Sequence, residues 1–130
     1  MERALLRFDG VKRYYLARGY ALSVGLGLFV LGLLGFTPAP PSFSIAENLL
    51  HIGTGSLFVA GAALLNKPNE LQGFLFGMGI LLVLATVLTV AARWPTLGLS
   101  LRLVWVNCLM VGVGSLLMAT FAGTAEHPQA

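Results

Sequence analysis

Glu47, Asn48 and His51 are the residues of this chain best placed to do chemistry. Glu47 and His51 are four apart, so a helix puts them on one face. They sit at the head of a long apolar run, where polar groups are costly unless paired. Three readings are open. His51 hydrogen-bonds Glu47 or a backbone carbonyl and locks helix packing. Alternatively, the neutral imidazole ligates a haem iron or a chlorophyll magnesium. Or Glu47 and His51 relay protons. The first demands least, because a lone histidine has few partners with which to build a site.

Two further residues belong with these three. Asn107 and Met110 open a second apolar run with the spacing of Asn48 and His51. A His/Met pair can ligate haem iron, although methionine in a helix is more often core filler. Arg102 and Asn107 are candidate partners for Glu47. No dedicated metal site is expected. The chain shows no catalytic triad, metal cluster, phosphate loop or paired buried carboxylates, so an enzyme is not expected. Its single cysteine, Cys108, excludes an intramolecular disulfide and reads as a small buried apolar residue. His127, in the polar tail, reads as solvated.

The elements that must position these residues follow from composition. Of 130 residues, 57% are hydrophobic and 10% charged. A soluble domain carries roughly a quarter charged residues, so too few remain here for a water-facing surface. Four apolar stretches cover about 19–36, 48–65, 71–92 and 101–123. About 20 helical residues cross a bilayer core, and helices satisfy their own backbone in lipid. The expectation is an all-α integral membrane four-helix bundle in a single domain. A basic cytoplasmic or interfacial segment, 1–18, would precede the helices, and a polar tail, 124–130, would follow them.

Local signals mark the breaks. Thr37-Pro-Ala-Pro-Pro41 stops the first helix. Ser44 or Ala46 starts the second ahead of Glu47. Asn66-Lys-Pro-Asn69 turns into the third, with Glu70 near the positive end of its dipole. Arg93-Trp-Pro95 ends the third. Trp94, Tyr14, Tyr15 and Tyr20 suit the membrane interface. In the first 18 residues, Leu5, Leu6, Phe8 and Val11 suit a helix lying on the membrane, which Asp9-Gly10 would weaken. Arg3, Arg7, Lys12, Arg13, Arg18 and Lys67 fall on one side, against Arg93 and Arg102 on the other. That asymmetry puts both termini in the cytoplasm. The first run is long for a signal peptide and leaves through prolines, so retention is expected over cleavage. The basic residues suit anionic headgroups, and no nucleic-acid surface is expected.

The second and fourth runs resemble each other. Asn48, Leu50, Gly53, Gly55, Ser56, Leu57 and Ala60 align with Asn107, Leu109, Gly112, Gly114, Ser115, Leu116 and Ala119. Both runs would point the same way, which suggests a parallel two-plus-two helix repeat. Gly53, Gly55, Ser56, Gly112, Gly114 and Ser115, with the Gly73-x-x-x-Gly77 pair, are candidate helix-packing positions, since small residues let backbones approach in lipid.

Glu47-Asn-Leu-Leu-His-Ile-Gly-Thr-Gly55, Gly32-Leu-Leu-Gly-Phe36 and the proline-rich loop resemble the small four-helix bacterial membrane proteins of domain-of-unknown-function family 4383. That pattern has Asn-x-x-His followed by Thr-Gly in the second helix and a related Asn-x-x-His in the fourth. Asn48, His51 and Gly55 match the first copy. Asn107 matches the second, but Met110 stands where its histidine would be, which weakens any role needing two histidines. The resemblance implies four helices and no established activity.

The leading expectation is an accessory or structural subunit of a larger membrane complex, in a bacterial inner membrane or another energy-transducing membrane. Its partners would be the lipid bilayer and other membrane subunits. The alternative is a pigment- or haem-binding subunit of a photosynthetic or respiratory complex, with His51 as axial ligand. A small oligomeric transporter is the weaker third.

Overall fold

The computed structural model describes residues 1–38, 43–91 and 108–123. They are all-helical, with four helices and no strand among them. These are α1 (Glu2–Leu34), α2 (Ile45–Leu64), α3 (Pro68–Ala91) and α4 (Met110–Gly123). A wider π-type turn at Cys108 and Leu109 leads into α4.

α1 is one helix of 33 residues. It runs unbroken through Asp9 and Gly10, so the basic residues of 1–18 are helical and continuous with the first apolar run. An internal glycine costs a helix on the order of 1 kcal/mol, which the good helix formers on either side outweigh. Past Leu34 the chain turns out of the helix, and Thr37 donates through both its amide and its hydroxyl to the Leu34 carbonyl.

α2 begins at a capping box. The Ser44 hydroxyl accepts from the Glu47 amide at 3.2 Å, and the Ser44 amide donates to Glu47 Oε2 at 2.8 Å. Both groups would otherwise be unpaired at a helix start. Of the two starts the sequence allows, Ser44 is the cap. A short turn joins α2 to α3, where Lys67 and Glu70 pair at 3.5 Å on the surface. Such an exposed pair contributes little.

α1 packs along α2, and α3 along α4; the two hairpins meet mainly through α1 and α4. Each hairpin crosses where two glycines touch. A Cβ on Gly55 would lie 2.6 Å from the Gly25 carbonyl oxygen, and one on Gly79 would lie 2.9 Å from that of Gly112. Ala17, Ala21, Phe58, Ala62, Leu71, Leu75, Leu82 and Ala119 form the core between the helices. Phe58 and Phe74 meet edge to face at 5.8 Å across α2 and α3.

Two helices are long and apolar enough to cross a membrane, over Asp9–Leu34 and Pro68–Ala91. Of the four expected spans, two among the described residues thus have the length and composition for it. α2 carries Glu47, Asn48 and His51 in its first two turns, and the described part of α4 has only 14 residues. The ends expected near Arg93-Trp-Pro95 and residue 101, and the polar tail, lie outside the described residues.

The surface is apolar. Leu22, Leu26, Val30, Leu57, Leu81, Leu84, Leu88 and Leu117 all point outward. Glu47, Asn48, His51, Thr86 and Ser115 are buried. Two outer hydroxyls return to their own helix: Thr89 donates to the Ala85 carbonyl and Thr120 to that of Leu117.

Candidate functional site

The polar residues gather where the end of α1 meets the start of α2. The capping box turns Glu47 inward at the positive end of the α2 dipole, and its side chain is buried. One turn on, His51 Nδ1 lies 2.8 Å from the Glu47 backbone carbonyl. A carbonyl only accepts, so Nδ1 carries the proton in this contact. The Phe43 ring lies 5.2 Å from the imidazole, centroid to centroid. The ring is 3% exposed. Helix, aromatic neighbour and hydrogen bond together fix its orientation.

Asn48 is buried between α1 and α2, and its Oδ1 has no conventional hydrogen-bond partner. A Cβ on Gly35 would overlap this oxygen and come within 2.6 Å of Asn48 Cγ. The Gly35 Cα–H therefore points at the oxygen. Such Cα–H···O contacts recur at helix–helix interfaces and give a weak compensating attraction. Gly32 makes the neighbouring approach, where a Cβ would lie 2.8 Å from the Asn48 carbonyl oxygen. Gly32 and Gly35 are what let Asn48 sit inside the hairpin.

Met110 does not share this environment. It is 68% exposed, whereas His51, its counterpart in the sequence repeat, is buried. Ser56 is exposed while Ser115 is fully buried, and Gly53 is open while Gly112 is packed. The alignment of the two runs is thus not their packing register. In space Gly55 plays the part of Gly112, a shift of two residues. Two residues turn a helix by about 200°, so the aligned residues face opposite ways. The Gly-x-Gly spacing causes the ambiguity, because either glycine can serve as the contact. Asn107 and Arg102 lie outside the described residues. Of the other packing candidates, Gly73 and Gly77 meet nothing within 4 Å of an added Cβ.

A second polar cluster was not evident from sequence. The Tyr20 hydroxyl donates to the Val111 carbonyl at 3.2 Å and lies 3.4 Å from Ser115 Oγ, which itself donates to Val111 at 2.7 Å. Gly114 makes room for it, since a Cβ there would lie 2.5 Å from the hydroxyl. Lower on α1, Tyr14 donates to the Leu65 carbonyl at the end of α2. Arg13 donates to the Phe121 carbonyl near the end of α4 and sits 5.0 Å above its ring. A cation there suits the negative end of the α4 dipole. The sequence suggested interfacial tyrosines; what it did not show is that Tyr14 and Tyr20 tie α1 to α2 and α4. The available signal was that both fall on the helical stripe of Ala17 and Ala21.

Tyr20→Phe and Ser115→Ala are each expected to cost about 1 kcal/mol, the usual worth of such a hydrogen bond. The double variant should cost less than their sum, because the two hydroxyls share one carbonyl. Chemical unfolding of the four forms in detergent measures this, and strict additivity would contradict the shared network.

Among the described residues no group of three or more His, Cys, Asp or Glu could hold a metal ion. The polar end of the hairpin supplies one buried carboxylate, one oriented imidazole and one amide oxygen. Of that set Asn48 packs against α1, while the bonds of Glu47 and His51 described above stay within α2 and its cap. Comparison with family models, with curated proteins and with solved structures finds no match.

Proposed function

We propose that this chain is an integral membrane four-helix bundle that acts without catalysis, as an accessory subunit of a larger membrane assembly. The observation that carries this reading is its inverted polarity. Large apolar side chains cover the outside, while Glu47, Asn48, His51, Thr86 and Ser115 are buried and the Thr89 and Thr120 hydroxyls bond back to their own helices. In water such a surface would aggregate; in lipid it is the favoured arrangement. The dimensions agree. From Tyr14, level with the end of α2, to Leu34 is 21 residues, a helical rise of about 31 Å. A bilayer core is about 30 Å thick. Both termini lie on the cytoplasmic side in this reading, and α1 with α2, then α3 with α4, form two hairpins in parallel.

Association is supported by α3. Gly73 and Gly77 form an exposed GxxxG pair on α3, and a Cβ on either would meet nothing within 4 Å among the described residues. Such pairs favour close helix contacts in lipid. Mild-detergent extraction from the native membrane, followed by sizing, is expected to recover the protein in an assembly larger than its 13.8 kDa chain. Gly73→Leu with Gly77→Leu should release the free chain without changing its melting. Recovery of the unmodified protein only as a monomer would refute the accessory role.

His51 supports a second reading, as the axial ligand of a haem or chlorophyll. Its Nδ1–H is held by a carbonyl, as in many ligating histidines. At 3% exposure, however, the ring would need its neighbours to move before a macrocycle reached it. The packing role therefore ranks first.

A further inference from the structure

We propose that the first three turns of α1 form an arm that lies on the cytoplasmic leaflet and recognises anionic phospholipid headgroups; this rests on the membrane reading above. The bundle ends at the level of Arg13 and Tyr14, where α1 meets the ends of α4 and α2. The 11 residues of α1 from Glu2 to Lys12 continue past that level, a rise of about 16 Å. Leu5 and Val11 are exposed on this part of the helix, and Tyr15 and Leu16 just past its inner end. Left in water, that apolar surface would be unfavourable.

The placement of the stripe points to lipid. Val11, Tyr15, Leu22, Leu26 and Leu33 follow one another at steps of four and seven, and all are exposed. Val11 therefore carries into the arm the face that α1 turns away from the bundle within the span, and Leu5 lies beside it, about a third of a turn round the helix. An arm bending away from the bundle lays that same face on the membrane. Gly10 lies one turn before that level and weakens the helix locally. Charge selects the headgroup. Arg3, Arg7, Lys12, Arg13 and Arg18 outnumber Glu2 and Asp9 over the first 18 residues. An amphipathic helix with basic excess binds anionic interfaces, with a gain of about five-fold per basic residue near the surface.

The test uses the full chain with Cys108→Ala and one new cysteine, labelled with the fluorophore NBD. Leu5→Cys reports on the arm and Leu26→Cys on the span. Each is placed in nanodiscs of phosphatidylcholine, alone or with a quarter phosphatidylglycerol. The expected result is a blue-shifted label at position 5 only with phosphatidylglycerol, and at position 26 in both discs. Arg3→Glu with Arg7→Glu should abolish the shift at 5 and leave 26 unchanged. A label at 5 that reads water in both discs, or shifts equally in both, overturns the arm. A label at 26 that reads water overturns the membrane reading itself.

Discussion

Gly55→Val is expected to destabilise the bundle by about 3 kcal/mol, the upper end of the usual cost of overpacking. An added Cβ would lie 2.6 Å from the Gly25 carbonyl oxygen, 2.6 Å from the Phe29 amide nitrogen and 3.0 Å from Phe29 Cα. All three are backbone atoms, so no rotamer change relieves the contact. The whole length of α1 has to move away from α2, and the seats of Asn48 and Val59 move with it. Gly53→Val is the matched control. It lies two residues away on the same helix, carries the same propensity cost, and has nothing within 4 Å of its Cβ position. Thermal melting in detergent, followed by circular dichroism, should show a drop of several degrees for Gly55→Val and little change for Gly53→Val. Equal losses would mean that the hairpin does not cross at Gly25 and Gly55.

His51→Ala should cost about 3 kcal/mol, combining the cavity left by a buried ring with the loss of its bond to the Glu47 carbonyl. His51→Leu keeps most of the volume and should recover more than half of that loss. This ordering separates packing from ligation. If the imidazole serves only to pack, leucine rescues and no absorption band changes. If it holds a macrocycle, the native protein is coloured, both substitutions bleach it equally, and leucine rescues nothing. A colourless native preparation removes the ligand reading.

Particular residues show how much was legible beforehand. Ser44 and Glu47 announced a helix start, because capping depends on neighbours three residues apart. The turn at Asn66–Asn69 was legible for the same reason. Glu47 and His51 were recognisable as a pair, since four residues fix their separation on a helix whatever surrounds it. By contrast, Tyr20 with Ser115 is 95 residues apart in sequence, and nothing local to either residue names the other. Gly114 looked like a repeat element, and its role became visible only once the Tyr20 hydroxyl was found beside it. The small residues of the second and fourth runs were likewise recognisable as packing positions, but not which of them pack.

The sequence by itself determined the helices, their apolar exteriors and the polar trio at the head of α2. Each of these depends on residue type and on spacing within a few turns. Only the tertiary structure decided the faces: Gly55 and Gly112 touch partner helices, Gly53 does not, His51 is buried and Met110 is outside. The reason is rotational. A helix with glycines two apart and apolar residues all round can pack on either side at similar local cost. What selects one side is the shape of the helix opposite, and that shape exists only in the folded bundle.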